Sequence, residues 1–302
     1  MIFNLGSINI DYVYDVPHLP QPGETLAATS MATGLGGKGA NMSVAIARAG
    51  GRVRHIGAVG PDGAWAKKRL AEYGIDIEYI ADAEIPTGHA IINVDRQGEN
   101  VIVIFPGANH RQSDRAIAAS LDDAREGDLL VFQNETNGKE FAVAQARKRG
   151  LRVMYVPAPY DENTVEGFLA QTHILVLNEM EFGQMMQASG RDMTTLGVEA
   201  IVVTRGAAGA VLLEESAGWS ERNFPAPKVD AVDTTGAGDT FAGYFAAGLD
   251  AGLPAEQAVE RAVCASALKV TRRGTTEAIP SLAEVHAFWG QDPINGASSP
   301  QI

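Results

Sequence analysis

The chain has 302 residues, 45% of them hydrophobic, and a formal net charge of −13, so it can form one large α/β domain or two small ones. The acidic balance argues against a general nucleic-acid or anionic-membrane binder, while leaving room for local phosphate sites. One cysteine, Cys264, rules out an intramolecular disulfide and a cysteine-based metal cluster, and the six histidines, at positions 18, 55, 89, 110, 173 and 286, lack zinc-ligand spacing.

The N-terminus, Met1 to Gly6, has no basic segment followed by a long apolar one. No stretch approaches the ~20 apolar residues of a membrane span, so a cytoplasmic protein is expected. Ile2 to Gly6 reads as a short buried strand ended by glycine, leading into Ser7-Ile8-Asn9-Ile10-Asp11. Polar groups just past a central strand sit where α/β sheets place ligand contacts, although Asn9 and Asp11 also suit a plain turn. Tyr12 to Val16 is rich in β-formers and is followed by Pro17, Pro20 and Pro22. Gly88 to Val94 and Asn100 to Phe105 form a second extended pair with no helix between them, which predicts a small antiparallel accessory sheet.

Gly34-Leu35-Gly36-Gly37-Lys38-Gly39 fits Gly-x-Gly-x-x-Gly formally. The preceding residues make a poor strand, however, and position 54 is Arg where a dinucleotide fold needs an acid. Nor is it a Walker A loop, since Gly39 follows Lys38. These glycines would let backbone N–H groups approach a small polyhydroxylated ligand, with Lys38 and Asn41 supplying charge and donors. From Asn41 onward, amphipathic helical segments alternate with apolar strands of four to six residues. That alternation predicts a mainly parallel sheet covered by helices on both faces. The Pro-, Gly- and Ser-rich end, Gln291 to Ile302, is expected to fray.

The chain's other glycine-rich segment is Asp233-Thr234-Thr235-Gly236-Ala237-Gly238-Asp239, with Phe241, Tyr244, Phe245, Gly248 and Leu249 then falling on one helical face. A turn of this kind opening a buried helix leaves backbone N–H groups free to bind an anion. Asp239 could act simply as an N-cap. Two glycines and a second acid close by suggest a larger role.

Asp233 to Asp239 resembles the C-terminal signature of the ribokinase (PfkB) family of sugar kinases, and Gly36-Gly37-Lys38-Gly39-Ala40-Asn41 resembles the N-terminal one. The resemblance runs from about Ile2 to Pro280. It implies one ribokinase-like domain over 1–302, with segments 12–34 and 87–106 inserted as a β lid that also joins a homodimer. The implied activity is ATP-dependent phosphorylation of a sugar hydroxyl with Asp239 as general base. Backbone N–H groups of Gly236, Ala237, Gly238 and Asp239 would face the transferring phosphoryl group. The sugar would be held by Asn9, Asp11, Gly37, Lys38, Asn41 and Glu135, and Asn134 stands beside Glu135 where an apolar residue is usual. Ribose is favoured, because Pro106-Gly107-Ala108-Asn109 and Pro157-Ala158-Pro159 look closer to ribokinases than to fructokinases. Another sugar, a nucleoside, or a catalytically silent sugar-binding protein are the alternatives.

On the nucleotide side the resemblance assigns Asn178, Glu181, Thr204, Gly206 and Gly209, with Glu181 reaching Mg²⁺ through water. Asn178 and Glu181 also fit ordinary helix capping, and Thr204 to Gly209 an ordinary turn between strands. Val263 falls where many members carry Asn or His beside the nucleotide. A potassium ion is implied as well, with Asp233, Thr235, Lys269, Arg272, Gly274 and Ala278 as ligands, largely through backbone carbonyls. Alternatively, Asp233 pairs with Arg272 or Arg273 in a salt bridge.

Overall fold

The computed structural model describes residues 1–215 and 219–290; the expected frayed end lies outside them. The first half of the chain forms β1 (Ile2–Leu5), β2 (Asn9–Asp15), β3 (Ser30–Gly36), α1 (Lys38–Arg48), β4 (Val53–Val59), α2 (Ala64–Glu72), β5 (Ile80–Asp82), β6 (Gly88–Val94), β7 (Asn100–Phe105), α3 (Asp114–Ser120) and β8 (Leu129–Phe132). The second half forms α4 (Lys139–Lys148), β9 (Arg152–Tyr155), α5 (Glu162–Leu169), β10 (Ile174–Asn178), α6 (Glu179–Ser189), β11 (Ala200–Thr204), β12 (Ala210–Glu214), β13 (Ser220–Phe224), α7 (Ala237–Asp250), α8 (Ala255–Val270) and α9 (Leu282–Trp289).

Nine strands make one sheet in the order β13-β12-β11-β10-β9-β8-β1-β4-β5. It is parallel from β11 to β5 and antiparallel only at β12 and β13. Strands β1, β4 and β8 are buried along their whole length, as continuous apolar runs between two helical layers must be. One core unites α1, α7 and α8 on one face of the sheet, and a second gathers α3 to α6 on the other. From β1 the chain builds outward in both directions, so the ends of β1 and β8 form the topological switch point where such sheets bind ligands.

A separate four-stranded sheet runs β3-β2-β6-β7. Each hairpin is antiparallel, and the two are joined through a parallel β2–β6 pair. In this sheet Asn9 lies opposite Gly36 and Asp11 opposite Gly34, which brings the polar end of β1 beside the start of α1. The helix after the second glycine-rich turn is buried from Thr240 to Gly248, beyond the single expected stripe. Its surroundings explain this: a Cβ on Gly243 would lie 2.5 Å from Ala45 Cβ, and one on Gly248 would lie 2.8 Å from Ala258 Cβ. Helix α7 is thus wedged between α1 and α8, and its N-terminus meets that of α1.

Candidate active site

The end of β1 and the start of α1 interlock through glycine. A Cβ on Gly6 would come within 2.4 Å of Gly39 Cα, and one on Gly39 within 2.4 Å of the Gly6 backbone. Gly37, at φ 93°, lies against Ser7 and Asn9, and a Cβ on Gly36 would lie 2.1 Å from the Asp11 carboxylate. Gly36, Gly37 and Gly39 therefore serve close packing of the chain on itself, a need that the expectation of backbone open to a ligand left out. A buried polar network braces the contact: Asn4 Nδ2 donates to Gly39 O and Ser43 Oγ (both 2.8 Å), and Gln133 Nε2 donates to Asn4 Oδ1 (3.0 Å). His55 pairs with Ser43 and Gly6 O, and burial pushes its pKa down to about 4, so it is neutral at pH 7.

Interlocking of this kind assembles a cluster of charged groups. Glu135, just past β8, accepts from Ser7 Oγ and from the Lys38 N–H (3.3 Å), and Lys38 Nζ lies 3.7 Å from Glu135 Oε1. Burial opposes the charge on Lys38, but the carboxylates of Asp239, Glu135 and Glu181 hold its pKa above the ordinary value. Asp11 is nearly buried, and its pKa is pushed up to about 7 by burial and by Glu135 and Glu277, with Lys38 opposing. Asn9 Oδ1 accepts from Asn109 Nδ2 (2.7 Å), whose own Oδ1 accepts from the Ile8 N–H (2.9 Å). In sequence Asn109 is only part of a motif and Glu277 carries no signal of its own, because each approaches the site from a distant segment. Asn134 accepts from Tyr155 Oη (2.7 Å) and donates to Pro159 O (2.9 Å), so its polarity anchors neighbouring backbone.

Across from this cluster stands the second turn. Gly236, at φ 73°, is the N-cap of α7, and no side chain caps the helix. Asp239 is therefore not the cap but lies one turn in, where its Oδ2 accepts from Asn41 Nδ2 (2.8 Å). It keeps a face open to the cleft while protein surrounds the rest. That burial raises its pKa above the usual range, against the pull of Lys38 and Asn41. The Ala237 N–H is already used by Thr234 O (3.1 Å), so its expected role at the phosphoryl group is corrected. The N–H groups of Gly238 and Asp239 have no carbonyl four residues back within the helix. In front of Gly238 there is open space: a Cβ there would meet nothing within 4 Å.

Behind the turn lies a cavity of about 370 Å³, whose walls include Thr204, Gly206, Gly209, Thr234, Ala237 and Gly238. Three of the five expected nucleotide-side residues thus meet in it. Its remaining walls are mostly apolar, with Ala226, Pro227, Phe241, Val263 and Val270, and Lys228 brings a charge. The loop 226–231 escaped the sequence reading because nothing in its local pattern marks a site. Asn178 and Glu181 form a complete capping box on α6, which uses Asn178 Oδ1 and Glu181 Oε2. They stand away from the cavity wall, yet the Glu181 charge still acts on Lys38. Gly209 is also structural, since a Cβ there would lie 1.9 Å from Phe224 O.

The residues expected around a potassium ion separate into two groups. Asp233 Oδ1 accepts from the Thr235 N–H (2.9 Å) and Oδ2 from the Gly274 N–H (3.0 Å). Although burial works against the ionised form, these two N–H groups and Lys269 hold the Asp233 pKa below its usual value. Lys269, fully buried, donates from Nζ to Asp233 O (2.9 Å). Arg272 turns away to Glu284 (2.8 Å) and does not pair with Asp233. Ala278 is buried in a short 3₁₀ turn.

A helix opened by a glycine-rich turn, with a carboxylate one turn in, a lysine opposite and a cavity behind, defines a site for moving an anionic group onto a polar ligand. The family profile described as pfkB family carbohydrate kinase matches residues 1–282, and the chain belongs to that family. It is 34% identical to a ribokinase of Haemophilus influenzae, over 94% of this chain and 96% of the relative. Among solved structures, a Thermotoga maritima ribokinase superposes with a TM-score of 0.85 at 33% identity, covering 96% of this chain and 99% of the other. An Arabidopsis thaliana ribokinase solved in complex with ribose and ATP gives a TM-score of 0.78 at 26% identity, over 95% and 97% of the two chains. The chain is a carbohydrate kinase on the ribokinase fold.

Proposed function

We propose that this chain transfers the γ-phosphoryl group of ATP to a hydroxyl of ribose, giving ribose 5-phosphate and ADP. The observation that carries the reading is the placement of Asp239: not capping its helix, bound to Asn41, within the field of Lys38, and in a first helical turn whose Gly238 and Asp239 N–H groups have no partner within the helix and whose Gly238 has open space where a side chain would stand. Asp239 takes the proton of the hydroxyl as that oxygen attacks phosphorus. A sugar O–P bond forms, the bond from phosphorus to the β-phosphate oxygen breaks, and the proton passes from Asp239 to solvent. The Gly238 and Asp239 N–H groups and the helix dipole stabilise charge on the group in flight, because this transition state is stabilised mainly by positioning and electrostatics. The raised Asp239 pKa brings its basicity toward what proton abstraction needs.

Asn9, Asp11, Gly37, Lys38, Asn41 and Glu135 hold the sugar in this reading. Asn41 Oδ1 is buried without a hydrogen-bond partner, which suits a bond to a ligand hydroxyl. The apolar walls of the cavity suit a flat base, with Thr204, Gly206 and Gly209 beside it. Val263 offers that base no hydrogen bond, so selectivity for adenine rests on the backbone around it. Mg²⁺ bound to the nucleotide would neutralise phosphate charge. Glu181 fits a water-mediated contact to it, since the capping box uses Oε2 and its charge acts on Lys38. A homodimer through the lid belongs to the same reading: Val101 to Phe105 on β7, with Met31 and Ile91, expose a large apolar surface that a second copy would cover. A cytoplasmic location completes it; no helix among the described residues is long and apolar enough to cross a membrane.

The test is ADP release with ribose, deoxyribose, hexoses and nucleosides as acceptors. Ribose is expected to give the highest kcat/KM. Preference for another acceptor overturns the choice of sugar, and no turnover with any of them overturns the kinase reading.

A further inference from the structure

The helices that meet at the candidate active site are gripped from behind by α8, in an arrangement that does not suit the expected potassium ion. Ser266 Oγ donates to Ala237 O (3.0 Å), and one helical turn further on Lys269 Nζ donates to Asp233 O (2.9 Å). Between them these contacts hold both ends of the segment Asp233 to Ala237. The Val232 and Asp233 N–H groups also dock on Val270 O (2.7 and 3.1 Å), at the C-terminal end of the same helix.

Lys269 is out of character with its surroundings. Neighbouring positions of α8 carry Ala262, Val263, Cys264, Ala265 and Ala267, all buried and small. A lysine with 0% of its surface exposed among such residues is costly unless its charge has a specific partner. Burial pulls the pKa of the ammonium below its ordinary value, and the partners that oppose this are the Asp233 carbonyl and the negative charges of Asp233 and Asp239. Asp233 for its part has one N–H on each carboxylate oxygen and a buried cation close by. A metal ion beside the same acid would stand against that ammonium.

We propose that the Lys269 ammonium is the resident cation of this site, tethering Asp233 and the anion turn so that the enzyme works without a bound monovalent metal ion. Lys269 is then a positioning residue. It touches neither substrate, and it sets where the Gly238 and Asp239 N–H groups and the Asp239 carboxylate stand. Its effect on turnover rests on the phosphoryl-transfer reading, whereas its effect on the folded state does not.

The test uses the intact enzyme at fixed ionic strength in tetramethylammonium, sodium, potassium or caesium chloride. Equal turnover and equal melting temperature in all four salts are expected. A rate severalfold higher in potassium, or a melting temperature raised by potassium alone, overturns the proposal, since an ion that binds only the folded state must stabilise it. Lys269→Met keeps the length and removes the charge. It is expected to lower kcat by up to about 10²-fold through misplacement of the turn, with smaller changes in either KM. Lys269→Ala opens space beside Asp233, and potassium or methylammonium is expected to restore part of its kcat and raise its melting temperature. Wild-type kcat in Lys269→Met, or in Lys269→Ala in every salt, shows that the charge is dispensable and overturns the proposal. If the variants do not fold, the wild-type salt series still decides. If no acceptor is phosphorylated, the proposed function falls while the melting series continues to report on Lys269.

Discussion

The two glycine-rich turns look alike in sequence, and each opens a buried helix, yet their glycines answer different needs. At Gly36, Gly37 and Gly39 every added Cβ would strike the segment from Gly6 to Asp11. At Gly236 the need is a left-handed backbone, and at Gly238 an added Cβ would meet only open space. In the first turn the glycines press chain against chain so that the side chains of Lys38 and Asn41 stand in the cleft. The second keeps side chains away so that backbone N–H groups face it. A glycine-rich motif thus marks close approach, and the tertiary partner decides whether protein or ligand does the approaching.

The strongest way to break this comparison is at the carboxylate of the second turn. Asp239→Asn is expected to lower kcat by about 10²–10⁴-fold, the range for loss of a general base, while substrate binding and melting temperature hardly change. Near-normal turnover would reduce the second turn to a structural one like the first.

Substitution of the glycines themselves sharpens the contrast. Gly39→Ala places a methyl group 2.4 Å from the Gly6 backbone, which cannot move without shifting β1. Destabilisation of about 3 kcal/mol or more is expected in a denaturant titration, as for overpacking of a core. Gly238→Ala sits in a helical first turn with space around it, so its stability should stay within about 0.5 kcal/mol of the wild type while the KM for ATP rises. Equal destabilisation by both would show that the two turns serve one purpose.

A smaller effect concerns the side chains that the first turn presents. The Asp11 pKa stands at about 7 before sugar binds, so its carboxylate fraction increases as pH is raised from 6 to 8. If that carboxylate accepts sugar hydroxyls, the sugar KM falls by about tenfold or less over this interval, with the ATP KM nearly constant. Asp11→Asn should flatten the profile. A flat profile in the wild type would remove Asp11 from sugar recognition.

The alternation of strands and helices, the acidic charge and the two signature turns were legible from the residues in order, because strand burial and helix capping follow from local pattern. Asp239, Asn41 and Lys38 could be singled out from the two turns themselves, and Glu135 through family resemblance alone. Other features depended on distant contacts. Strand β2 pairs in parallel with β6 across some eighty residues, Asn109 reaches Asn9, and the loop 226–231 closes the cavity behind the turn. Nor does any local rule say that Gly36, Gly37 and Gly39 serve packing and Gly238 open space. The fate of Lys269 is the clearest case. In sequence it is one more residue of a helix whose carbonyl might serve a cation; in the fold its own ammonium lies against Asp233, 36 positions away. Backbone propensity acts over a few neighbours and is written in the sequence. Where a long side chain places its charge depends on which helix packs behind which turn, and only the tertiary structure settles that.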